Sequence, residues 1–217
     1  LRVMKDMTTY KFRIMPTKAQ QTALTKWLEE CRMLYNNFLV QRKNGWEKNK
    51  KCFTLYDQLN QLPKLKRDYP KLKTVYSQVL QNVGIRANLA YQAFFRRVRQ
   101  HETPGYPRFK SYGRYDSFCY PCCVDVKIGE DFVHLPKLGK VDCIVHRKIK
   151  GKLKTVTVKR SHGKWYVFLV TDHCNRRTVL KSNKTTAIDV VITTFATLSD
   201  GENVANPRFF ETKQKLL

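Results

Sequence analysis

The chain has 217 residues, 42% hydrophobic and 12% aromatic, which excludes a disordered chain and sets one or two domains with a real core. Its 42 Lys and Arg stand against 17 Asp and Glu, and the net charge of +25 favours polyanions, nucleic acid ahead of a membrane surface. No apolar run approaches the roughly 20 residues that span a bilayer, and no signal sequence precedes the first strand, so no membrane partner is expected.

From Thr9 to Met15, Tyr10, Phe12 and Ile14 alternate with Lys11 and Arg13, the pattern of a half-buried strand with a basic outer face. Pro16 ends it. Thr17-Lys18-Ala19-Gln20 has capping-box spacing, in which Thr and Gln satisfy free N–H groups at a helix start. The helix that follows carries Leu24, Trp27, Leu28, Cys31, Leu34, Phe38 and Leu39 on one face, with Asn44-Gly45 as its stop. A shorter helix is expected from Leu55 to Leu62, ended by Pro63, and then a basic linker from Lys64 to Lys73.

A long helix is expected from about Val75 to Gln100, with Val75, Val79, Val83, Ala87, Ala90, Phe94 and Val98 facing the core. Gly84 inside it costs about 1 kcal/mol against Ala, which suits a kink or a close packing contact. Arg96, Arg97 and Arg99 gather at its far end, as nucleic-acid contacts or as cations favoured at a helix C-terminus.

The composition then shifts. Thr103 to Lys110 is turn-rich, basic and aromatic, and includes Arg108 and Lys110. Short strands are expected at Val124–Ile128, Phe132–Leu135 and Lys140–His146, with a hairpin of Lys152–Arg160 and Lys164–Thr171. No acidic residue occurs between Ile144 and Thr171, whereas Arg147, Lys148, Lys150, Lys152, Lys154, Lys159, Arg160 and Lys164 do. A solvated face usually mixes signs, so this run reads as a phosphate track on a small barrel of the oligonucleotide-binding sort.

The seven cysteines are odd in number and scattered, as in a reducing cytoplasm, and a cytoplasmic location is expected. Cys119-Tyr120-Pro121-Cys122 has the spacing of half a zinc site, but no second close pair of Cys or His follows at a usual distance. His134, Cys143 and His146 could be recruited only through the fold, so zinc is not expected here.

After a polar linker from Arg176 to Thr185, Ala187 to Gly201 reads as a buried strand, a turn and a second strand ending at Asp200-Gly201. Asp189 lies within the first apolar run. A charge in a core strand costs several kcal/mol unless it is paired or holds a metal, so Asp189 is a candidate metal ligand. The alternative is an Asp capping a loop at a strand end.

These stretches together resemble the TnpB (OrfB) proteins of bacterial insertion sequences. The matching pieces are Tyr10 to Thr17, Tyr35-Asn36-Asn37-Phe38-Leu39, Leu80-Gln81-Asn82, Ala93-Phe94-Phe95-Arg96, Pro104 to Lys110 and Leu135 to Gly139. The Asp189 stretch through Gly201 and Asn206-Pro207-Arg208 complete the set, in the family's order and nearly end to end.

The resemblance implies an α+β fold: a helical recognition lobe at 16–103 inserted in a small split β-barrel, the wedge, at 1–15 and 104–180. The first hairpin of an RNase H-like (RuvC) nuclease follows at 184–217. It implies a transposon-encoded RNA-guided DNA endonuclease with a guide RNA and a target DNA as partners and Mg²⁺ as cofactor. By position, Gln81, Phe118 and Cys119 are similar to residues near the groove that reads the motif beside the target. A Gln can bond an adenine edge, although an exposed helix residue needs no such role.

Two departures stand out. Asp189 is the first ligand of a site whose other carboxylates would come from later strands, and the opening Leu1 suits a piece of a longer chain. Val191 stands where the family usually has Gly, beside Asp189 if both lie on one strand face. The expectation is nucleic-acid binding without cleavage by this chain alone. A nuclease-dead RNA-guided repressor and a helix-turn-helix accessory of transposition are the alternatives. A long connection from Asn44 to Phe53 counts against the last.

Overall fold

The computed structural model describes residues 5–50, 52–123, 125–174, 185–191, 193–209 and 214. They fall in two compact units, 1–175 and 176–217. No helix among the described residues is long and apolar enough to cross a membrane.

The first unit is α+β. Strand β1 (Lys5–Met15) buries Tyr10, Phe12 and Ile14 and exposes Lys11 and Arg13, as the alternation requires. Helix α1 (Lys18–Asn49) starts at the expected capping box: the Thr17 hydroxyl accepts from the Gln20 N–H at 3.3 Å, and the Thr17 N–H donates to Gln20 Oε1 at 3.0 Å. All seven residues of its expected apolar face are buried. The stop at Asn44-Gly45 does not hold. The helix continues through a buried Gly45 to Asn49, and Lys50, at φ 51°, closes it by donating to the Trp46 carbonyl.

The expected short helix is two: α2 (Leu55–Asn60) and α3 (Leu62–Asp68), followed by a 3-10 turn, Pro70–Thr74. Pro63 opens α3 rather than ending a helix, because a proline's missing N–H costs nothing in the first turn. The basic stretch from Lys64 to Lys73 is therefore largely helical, not a linker.

Helix α4 (Ser77–Arg99) buries Val79, Val83 and Ala87, with Val75 buried just before it. Ala90 and Phe94 are only half-buried and Val98 is exposed, so its last turns leave the core. A Cβ on Gly84 would stand 2.9 Å from Leu59 Cδ2 and 3.4 Å from Phe38, so the glycine serves close packing of α4 on α1 and α2.

A polar network ties these helices together. Gln58 is fully buried; its amide donates to the Phe38 carbonyl (2.9 Å) and Gln41 Oε1 (3.0 Å), and its oxygen accepts from Arg42 Nε (2.8 Å). Arg42 also donates to Asn88 Oδ1 on α4. Gln58→Leu will cost about 1–3 kcal/mol, because it removes the donor to Gln41 Oε1 and leaves one arm of a half-buried guanidinium unpaired. Urea unfolding measures this, and an unchanged midpoint would show the network to be dispensable.

Beyond α4 come β2 (Ser117–Tyr120), β3 (Lys127–Ile128), β4 (Phe132–Leu135), β5 (Gly139–Ile144), β6 (Lys152–Ser161) and β7 (Lys164–Cys174). With β1 they form one antiparallel sheet in the order β2-β6-β7-β1-β5-β4-β3. The first strand thus sits inside the sheet, Tyr10 opposite Leu169 and Ile14 opposite Cys143. The helices are an insertion between β1 and the rest. The expected hairpin forms, with Val156 paired to Leu169 and Val158 to Val167. Strand β2 was not expected, and of the strand expected at Val124–Ile128 only Lys127–Ile128, β3, forms among the described residues.

The second unit has three strands among its described residues, β8 (Ile188–Asp189), β9 (Thr194–Leu198) and β10 (Asn203–Ala205), in the antiparallel order β10-β9-β8. The Arg176 to Thr185 linker lies almost wholly outside the described residues.

Candidate nucleic-acid interface

The alternation that buries Trp165, Val167 and Leu169 in β7 turns Tyr166 and Phe168 to the outer face of the sheet. The register sets Phe168 opposite Lys11 and Tyr166 opposite Arg13. The Lys11 ammonium lies 4.5 Å from the Tyr166 ring centroid and 5.9 Å from that of Phe168. On β6, Thr157 and Lys159 continue the two rows. Both rings are half-buried, and cations interleaved with aromatic rings on such a face can bind phosphates and stack bases together. Lys11 and Arg13 were legible as a basic outer face. Tyr166 and Phe168 were missed, although the polar-side positions of an alternating strand were the signal.

The expected phosphate track is only partly of one sign. Lys154 Nζ holds Asp172 at 2.8 Å, and Lys159 Nζ holds Asp116 at 3.2 Å. Asp172 follows the acid-free run directly and Asp116 lies well before it, and sheet pairing brings both in. Arg147, Lys148, Lys150, Lys152 and Arg160 are exposed. The Arg147 guanidinium lies 4.9 Å from the Tyr10 ring, whose hydroxyl accepts from the Lys150 N–H at 3.1 Å, so this connection is anchored to β1.

A second basic element is the strap from Thr103 to Ser111, which has no regular secondary structure. Tyr106 packs edge-on against Tyr91 and Phe94, and its hydroxyl meets that of Tyr91 at 2.9 Å. Asn36 clamps the far end: its side chain donates to the Lys110 carbonyl and accepts from the Lys110 N–H, each at 2.9 Å. Arg32 adds a bond to the same carbonyl at 3.0 Å. Between the anchors Arg108, Phe109 and Lys110 are exposed.

Gln81 is exposed on α4, and Arg96, Arg97 and Arg99 are exposed in its last turns. Phe118 is different. It is 1% exposed, with its ring edge-on to Trp27 and Tyr120, so it packs the core and cannot meet a ligand, contrary to the sequence reading. Cys119, its neighbour on the other face of β2, is half-buried.

Among the described residues no three or more His, Cys, Asp or Glu are grouped to hold a metal. Cys123 Sγ donates to the Lys154 carbonyl at 3.3 Å, and burial pushes its thiol up to about 11. Cys143 is turned into the core, where burial also pushes it up to about 11.

Asp189 is exposed, opposite Thr197 in a two-residue strand, and Ile188 beside it is 62% exposed. The expected buried carboxylate is therefore not observed, since no described element of that unit covers this strand. Strand β8 ends at Asp189, so the shared strand face argued for Val191 is also missing. Asp200 serves a turn, its carboxylate accepting from the Glu202 N–H at 3.3 Å with Gly201 at φ 93°. The described residues by themselves do not fit a two-metal site, which needs several converging carboxylates.

Residues 4–51 match the model of the helix-turn-helix domain of IS605-type OrfB proteins. Over 216 residues, 99% of its length, the chain is 30% identical to InsQ of Escherichia coli (strain K12), a protein named as an RNA-guided DNA endonuclease. The chain spans about half, 52%, of that relative's length. On both comparisons the chain is similar to the OrfB proteins of insertion sequences, through residues 4–51 and through its whole-length likeness to InsQ.

Proposed function

We propose that this chain binds guide RNA and target DNA as part of a transposon-encoded RNA-guided endonuclease, and does not cut DNA by itself. The observation that carries the reading is the outer sheet face, where Lys11 and Arg13 stand opposite Phe168 and Tyr166. Such a face suits a polynucleotide better than a lipid headgroup layer, since ring faces between cations stack bases. The exposed cations Arg147, Lys148, Lys150, Lys152 and Arg160 extend it, and Arg108, Lys110, Arg96, Arg97 and Arg99 offer further phosphate contacts.

In this reading 1–15 and 104–180 are the wedge barrel, 16–103 the recognition lobe and 184–217 the opening of a RuvC-like nuclease. The pairing of β1 with β5 and β7 across the helical insertion supports the first assignment. Gln81, exposed on α4, is free to read a base edge, with Cys119 the other candidate in the motif-reading groove. Asp189 is the proposed first Mg²⁺ ligand, and the remaining carboxylates must come from elsewhere.

The exposed Asp189 equally suits a nuclease-dead, RNA-guided repressor. A plain helix-turn-helix accessory fits less well, because the described residues of the matched segment fold as one strand, Lys5–Met15, and one long helix, Lys18–Asn49. Labelled target duplex incubated with protein, guide RNA and Mg²⁺ or Mn²⁺ tests the reading. The duplex will be bound but not cut, and Asp189→Ala will bind it equally well. Metal-dependent cleavage that disappears in Asp189→Ala would overturn the inactive reading.

A further inference from the structure

A cleft of about 580 Å³ opens between the N-terminal half of α1 and the β6–β7 turn, with residues 112–116 along one side. Its volume falls in the range of pockets that enclose a small ligand, roughly 300–1,000 Å³. Leu28 and Tyr115, each 7% exposed, give it an apolar floor. Tyr112 stands at its mouth with 79% of its surface exposed, although a free aromatic ring there buries nothing in the fold.

The charges are sorted. Glu29 is held by two bonds from Arg32, 2.5 and 2.9 Å, and the guanidinium beside it holds its carboxyl below the usual range. Asp116 is held by Lys159, and its backbone carbonyl accepts from the Arg160 N–H at 2.8 Å. Both carboxylates of the cleft are thus neutralised. Lys26 and Arg160 are exposed and have no carboxylate partner among the described residues.

A wider groove, of about 1130 Å³, between α1, α3 and the strap makes the contrast. There Glu29, Glu30 and Asp68 are matched by Arg32, Lys71 and Lys110 beside exposed Met33, Val40 and Tyr69, so the groove has no surplus of cations to attract phosphate.

We propose that the smaller cleft holds one unpaired nucleotide of a bound polynucleotide, its base stacked on Tyr112 over the apolar floor and its phosphate between Lys26 and Arg160. Single-stranded positions are where proteins splay a base out onto an aromatic ring, whereas a duplex keeps its bases stacked away from such a cleft. The inference rests on the reading that the chain binds nucleic acid, and adds a site that prefers an unpaired base.

The test uses the whole chain and three probes of about 12 nucleotides, oligouridylate, oligothymidylate and a duplex, with affinity read by fluorescence anisotropy. Tyr112→Ala will weaken a single-stranded probe about tenfold and leave the duplex within about twofold, and Tyr112→Phe will restore it. Loss on the RNA probe alone assigns the site to an RNA strand, and loss on the DNA probe alone to an unwound DNA strand. Arg160→Gln will weaken every probe that binds and lower the salt slope by about one. Unchanged single-strand binding by Tyr112→Ala, or an equal loss on the duplex, would overturn the proposal while leaving the functional reading intact. Wild-type protein that binds none of the probes would overturn both. Tyr112 is exposed, so its variants fold, and circular dichroism verifies this.

Discussion

Trp27→Ala will lose roughly 3–5 kcal/mol of stability, whereas Phe94→Ala will lose about 1–2. Trp27 is 4% exposed and meets Phe118 edge-on at 5.9 Å, so it joins α1 to β2 at the centre of the core. Removing it leaves a void between a helix and a sheet that cannot both close on it. Phe94 is half-buried near the end of α4, touching Phe95 and Tyr106 rather than the sheet. By periodicity alone the two residues were equivalent core positions. Denaturant unfolding of each variant separates the cases, and equal losses would mean that the strap packs Phe94 as firmly as β2 packs Trp27.

Affinity for structured RNA will fall by about three to five orders of magnitude between about 50 and 200 mM salt. That is the response of roughly six to ten neutralised phosphates, and the exposed cations of the outer sheet face and the 145–152 connection suffice for it. Lys11→Gln with Arg13→Gln will lower the slope of log affinity against log salt by about two. Lys154→Gln will lower it less, because that ammonium already holds Asp172. Filter binding across a salt series measures all three proteins. A flat response in the wild type would remove the phosphate-contact reading of this face.

The different weights given to Lys11 and Lys154 mark where local pattern stopped being informative. In sequence both are lysines in an alternating strand. In the fold one lies over two aromatic rings, and the other is spent on a carboxylate that β7 brings across. The same holds for Phe118 and Cys119, read together as site residues: adjacent positions on β2 face opposite ways, and the helices cover one of them.

The sequence by itself determined the capping box of α1, its buried face, the alternation of β1 and the presence of the β6–β7 hairpin. Each depends on residues a few positions apart, or on two strands joined by a short turn, where side-chain period and turn chemistry decide the outcome. The likeness to insertion-sequence OrfB proteins was also legible, because it rests on the sequence itself and not on contacts. Only the tertiary structure decided that α1 runs on through Gly45, that Pro63 starts a helix, and that β1 sits between β7 and β5 in its sheet. It alone decided that Asp189 is exposed and that Asp116 and Asp172 neutralise two of the track's lysines. Burial and charge pairing are properties of surfaces brought together by distant segments, and no local period encodes which segments those are.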